Sequence, residues 1–173
     1  MKLAVGQNPT ILTLFFVPPE FRTYDGILAD DFRAMTEKVV SRSAAKTFRG
    51  HMQDQRERML GLRGGAHTNR PALVERHGYD TKYAGHYIRL GFQGIELLET
   101  GKLTMPMQDD ARQIVMDIRA GRWEQKNVIG VGQEMEAHLL GLQTSTELRN
   151  QPDTNAVDRF LIRMYQTQWS TNV

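Results

Sequence analysis

Lys82, His86, Arg89, Gln93 and Glu96 recur at i, i+4, i+7, i+11 and i+14, the spacing that lines side chains along one edge of an α-helix. An ammonium, an imidazole and a guanidinium one turn apart form a donor set suited to an anion such as a phosphate. The three lie in the first half of the helix they define, where the helix dipole is also positive. Cations there mildly disfavour the helix, and a nearby anion relieves them. Tyr79 and Asp80, just ahead of the stripe, complete the candidate phosphate-binding set. The plain alternative is a solvated face, the usual meaning of a polar stripe on an amphipathic helix. The stripe's narrowness argues against that alternative.

The element that must position these residues is Gly78 to Gly101, GYDTKYAGHYIRLGFQGIELLETG. The pattern predicts one long helix from about Asp80 to Glu99. Asp80 or Thr81 serves as N-cap, and Gly101 stands just past the C-terminus. Tyr83, Tyr87, Leu90 and Leu97 form one apolar face, with Ala84, Ile88, Ile95 and Leu98 beside it. A helix apolar on so much of its circumference belongs in the middle of a domain.

The same stretch resembles the helix signature of predicted nucleotidyltransferases related to DNA polymerase β, including those of bacterial RNA-repair operons. NPTILTLFF near the start, SRSAAKTFRGHMQDQ in the middle, NRPALVERHGYDTK before the helix and TGKLTMPM after it follow the family's order. The resemblance spans nearly the whole chain. It implies transfer of a nucleotide by two-metal chemistry, with the Lys82–His86–Arg89 helix holding triphosphate or acceptor.

Such enzymes carry a Gly-Ser turn and then two aspartates one residue apart, the metal ligands, upstream of the NPTIL segment. No such turn or Asp-x-Asp occurs in this sequence; Asp30-Asp31 and Asp109-Asp110 are adjacent pairs at helix starts. A third carboxylate of the family falls on Thr13 here, and a hydroxyl does not replace a carboxylate as a Mg²⁺ ligand. The resemblance therefore predicts a truncated nucleotidyltransferase-like chain with no catalytic or metal-binding residues of its own and no cofactor when alone. Mg²⁺ enters if a partner chain supplies the carboxylates.

The rest of the chain sets limits. Its 173 residues suffice for a proper core. Net charge is +2, from 22 basic and 20 acidic residues, which does not in itself point to nucleic acid. Absence of cysteine excludes disulfides, thiolate metal sites and a cysteine nucleophile. No apolar run approaches the ~18–20 residues of a membrane span, and the start lacks a signal-peptide core; a cytoplasmic protein is expected. The histidines His51, His67, His77, His86 and His138 show no metal-site spacing.

Ile11 to Val17, ILTLFFV, is the best strand candidate, closed by Pro18-Pro19. A lone strand needs a partner for its backbone, either a weak second strand nearby or another chain; pairing with a second chain is expected, as a homo-oligomer or with the other half of a split enzyme. Helices follow: one from Ser41 to about Leu62 with a polar side of Arg42, Arg49, Gln53 and Arg56, a short one at Arg70 to His77, then Asp109–Ala120, Glu124–Leu142 and a last one capped by Asp153. Arg63 to Asn69, with Gly64-Gly65, reads as a turn. In the last helix Val157, Phe160, Leu161, Met164 and Tyr165 are assigned to the inner side.

The expected fold is α+β and predominantly helical. Residues 1–26 hold a remnant of the nucleotidyltransferase palm around strand 11–17, and residues 27–173 form a helical domain. The expected function is binding of a nucleotide or of nucleic-acid phosphate, inactive alone or completing a split nucleotidyltransferase. The alternative is a non-catalytic protein-binding regulator that uses the helical surface.

Overall fold

The structure, a computed structural model, describes residues 1–23, 26, 28–63 and 70–171. The expected turn at Gly64-Gly65 lies outside the described residues. Every regular element among those described is helical: α1 (Lys2–Val5), α2 (Pro9–Leu12), α3 (Ala29–Ala34), α4 (Thr36–Val39), α5 (Ala44–Met59), α6 (Pro71–His77), α7 (Thr81–Thr100), α8 (Asp109–Arg119), α9 (Gln125–Ser145) and α10 (Thr154–Thr171). None of these helices is long and apolar enough to cross a membrane.

This corrects the α+β expectation. No strand occurs among the described residues, and Ile11–Val17 is not one. The segment runs through α2 into a 3₁₀ turn over Thr13–Phe16. Asn8 caps it, its side-chain oxygen accepting from the backbone N–H groups of Thr10 and Ile11 at 3.1 and 3.2 Å. Pro9, at the first helical position, carries a pre-set φ. Burial falls on Leu12 and Phe15, three apart, while Leu14 is 52% exposed; that is a helical period. With no neighbouring ladder, local hydrogen bonds are what satisfies this backbone. A palm strand remnant is therefore absent, and pairing of a strand over 11–17 with a second chain loses its basis.

α7 is the axis of the domain. Its caps stand where the sequence puts them: Asp80 accepts from the backbone N–H groups of Lys82 and Tyr83, and Gly101 is left-handed at φ 70°. α5, α8 and α9 pack around it. Gly91 and Gly94 admit Met135 and Leu139 from α9 and Met52 and Phe48 from α5. Tyr87 lies against Gly132 and donates to the Glu136 carboxylate at 2.7 Å. Arg56 of α5 donates to the same carboxylate at 3.0 Å. The burial of a charge is thereby matched by hydrogen bonds.

The amino-terminal helices close one end. Gln7 is buried at φ 57°; its amide donates to the Val39 carbonyl at 2.8 Å and accepts from the Ser41 backbone at 3.1 Å. Phe15 stacks on Phe32 at 4.4 Å, and Phe32 meets Phe160 of α10. Val157 and Phe160 of α10 are in the core, but Tyr165 is 57% exposed, so the inward face of that helix is shorter than its apolar spacing suggests.

Candidate functional site

Lys82, His86 and Arg89 do share an edge of α7, and a second helix completes the cleft they line. α8 packs along α7 so that the Arg119 stem crosses Gly85; a Cβ placed there would stand 2.5 Å from Arg119 Cγ and 3.5 Å from the Val115 carbonyl. Lys82, His86, Arg89, Arg119, Gly85 and Val115 enclose a cleft of about 200 Å³. That is below the ~300–1,000 Å³ of a typical small-molecule site, and it suits a phosphate group better than a whole nucleotide.

The charge in this cleft is uncompensated. Among the described residues no carboxylate lines it, and Lys82, Arg89 and Arg119 form no ion pair. An Arg89 Nη lies 3.0 Å from His86 Nε2. Guanidinium only donates, so Nε2 is the acceptor and the imidazole is neutral, its proton on Nδ1. The electrostatics agree. Burial, then the charges of Arg89, His51 of α5, Arg119 and Lys82, lower the His86 pKa from 6.5 to about 4. Burial and then Arg119 also pull down the Arg89 pKa. An imidazole and a guanidinium both shifted toward their neutral forms, by burial first and by neighbouring cations second, mark a site where an anion is welcome.

A family profile described as RNA repair pathway DNA polymerase beta family matches residues 1–163. The chain belongs to that family. A nucleotidyltransferase-like role in RNA repair is what membership indicates. No curated protein and no solved structure matches the chain.

In this member of the RNA repair polymerase-β family, the other candidates have different employment. Tyr79 is buried and its hydroxyl donates to the Trp123 carbonyl at 2.7 Å. Asp80, 1% exposed, caps α7 and accepts from Arg70 at 3.1 Å. Both line a separate recess, away from the cationic cleft. Arg42 donates to the Thr146 and Leu148 carbonyls, and Arg56 and Gln53 face Glu136. Thr13 donates its hydroxyl proton to the Thr10 carbonyl at 2.7 Å. With Thr10 it lines a recess of about 140 Å³ shared with Arg89 and Gln93, so Thr13 adjoins the stripe.

Arg119 and His51 are the residues sequence reasoning missed. Arg119 reads as an ordinary basic residue in a last helical turn, and only the α7–α8 packing reveals it. Among the described residues no group of three or more His, Asp or Glu could hold a metal ion. The cationic cleft repels one, so its residues do not fit a magnesium ion.

Proposed function

We propose that the α7–α8 cleft binds phosphate of a nucleotide or of a nucleic-acid terminus, as the phosphate-holding part of a nucleotidyltransferase-like machine. The observation that carries this reading is the convergence of Lys82, Arg89 and Arg119 around a neutral His86, with no carboxylate in the lining. The 173 residues contain no Gly-Ser followed by Asp-x-Asp. On this reading they do not transfer nucleotides by themselves, and the metal-binding carboxylates come from another segment or chain.

Titration calorimetry with pyrophosphate and with a nucleoside triphosphate tests the binding. A charge-assisted contact contributes roughly 1.5–3 kcal/mol, so Arg89→Ala and Arg119→Ala should each weaken binding about ten-fold or more. Added salt should weaken it further. The melting temperature should barely move, since neither side chain is ion-paired. Unchanged affinity in both variants ends the phosphate reading. Incubation with labelled triphosphates, Mg²⁺ and RNA should label nothing; robust labelling that co-purifies with the chain refutes the second half.

A further inference from the structure

The positive charge of the cleft ends where the cleft ends. The basic residues of its two helices are Lys82 and Arg89 on α7 and Arg112 and Arg119 on α8. Lys82, Arg89 and Arg119 meet in the lining. Arg112 stands seven residues before Arg119, on the same helical edge, and is paired with Asp109 at 2.9 Å. Just past α8, Arg122 pairs with Asp117, and Lys126 pairs with Glu124 at 2.8 Å. The acidic residues of the two helices are Glu96, Glu99, Asp109, Asp110 and Asp117, and all lie outside the lining. Beyond Arg89 the edge of α7 is neutral at Gln93 and acidic at Glu96.

This distribution is unlike that of a polynucleotide track. A protein that follows a phosphate backbone gains affinity by setting many cations against many phosphates. Here three cations converge on one cleft of about 200 Å³, and the side chains that follow are paired, neutral or acidic. At physiological salt the screening length is about 8 Å, so an ion pair outside the cleft adds little attraction inside it. A phosphate seated in the cleft is held, and a second phosphate further along a strand finds no cation on α7 or α8 to meet it. Three cations around one point are also best matched by a group that carries more than one charge. A phosphomonoester carries about −1.5 to −2 at neutral pH, whereas a phosphodiester carries a single charge shared over two free oxygens.

Resting on the phosphate reading above, we infer that the cleft recognises a terminal phosphomonoester, on a nucleotide or at the end of a strand, and discriminates against the internal phosphodiester. The seated group is one phosphoryl with its free oxygens toward Lys82, Arg89 and Arg119, and the remainder of the ligand lies outside.

Calorimetry on the full chain at neutral pH tests this with pyrophosphate, ribose 5-phosphate, dimethyl phosphate, and a short and a long oligouridylate, each with and without a 5′-phosphate. Ribose 5-phosphate should bind about ten-fold or more tighter than dimethyl phosphate. The short and long phosphorylated strands should bind within about two-fold of each other, with the same salt dependence. Arg112→Ala should leave every affinity within about two-fold. The strands also distinguish the sources, and either result upholds the inference: phosphorylated strands that match ribose 5-phosphate show that strand ends are admitted, and strands about ten-fold weaker show that the ligand is a free phosphate ester. Affinity that climbs with strand length, strands that bind equally well without the end phosphate, or long-strand binding lost in Arg112→Ala would each overturn the terminal selectivity while pyrophosphate still binds. Absence of binding by both pyrophosphate and ribose 5-phosphate removes the phosphate reading and this inference with it.

Discussion

His86 should make the folded chain acid-sensitive in a way one substitution removes. Its pKa falls from 6.5 to about 4 on folding, so the folded state prefers the neutral ring. The stabilisation is fully present above about pH 6.5 and is lost as pH falls from there toward 4. At about 1.36 kcal/mol per pKa unit, the difference is at most about 3.4 kcal/mol. The ring is partly open to water, and screening reduces this to about 1–2 kcal/mol. The groups facing it are His51 from α5, Arg119 from α8, and Lys82 and Arg89 from α7 itself, and all of them oppose its protonation. His86→Gln keeps an acceptor for Arg89 and removes the titration. Urea denaturation of both proteins between pH 7 and 4 is the assay. The parent should lose about 1–2 kcal/mol more than the variant across that window. Parallel stability curves would show that burial and the neighbouring cations together do not hold His86 neutral, and the electrostatic case for an anion site would lose its support.

Sulfate, which does not titrate in this range, should bind with proton uptake below about pH 6, because an anion relieves the repulsion on His86; calorimetry in buffers of different ionisation enthalpy reads the proton count. Gly85→Ala should displace the Arg119 stem and weaken pyrophosphate binding several-fold, while the melting temperature stays within a few degrees, since alanine favours the helix by up to about 1 kcal/mol. Glu136→Ala should cost about 3 kcal/mol in denaturant unfolding, because it leaves the Tyr87 hydroxyl and Arg56 without their shared carboxylate. Gly132→Ala should cost about 1–3 kcal/mol, as its methyl overlaps the buried Tyr87 ring; a variant as stable as the parent would refute the packing described.

How much of this was legible in the sequence depends on how local the cause is. α7 was legible almost to the residue, because Asp80 and Gly101 act on the backbone next to them. The stripe was legible because helical spacing alone puts Lys82, His86 and Arg89 on one edge. Ile11–Val17 was misread because a short apolar run carries no decisive period; the informative residues were Asn8 and Pro9, a capping pair just ahead of it. Tyr79 and Asp80 have suitable chemistry, but packing commits their polar atoms to Trp123 and to the α7 backbone. Arg119 needed the tertiary structure, since its place over Gly85 depends on how α8 crosses α7.

The cationic edge belongs to the same helix around which α5, α8 and α9 pack. Lys82 and Arg119 meet only when α7 and α8 are docked, so an unfolded chain has the charges but not the cleft. Occupancy and folding are therefore thermodynamically linked: a ligand at a hundred times its Kd would add about 2.7 kcal/mol to the stability of the whole domain. Cellular levels of such a ligand would then help to set how much of the chain stays folded, and the protein's lifetime would follow the supply of what it binds.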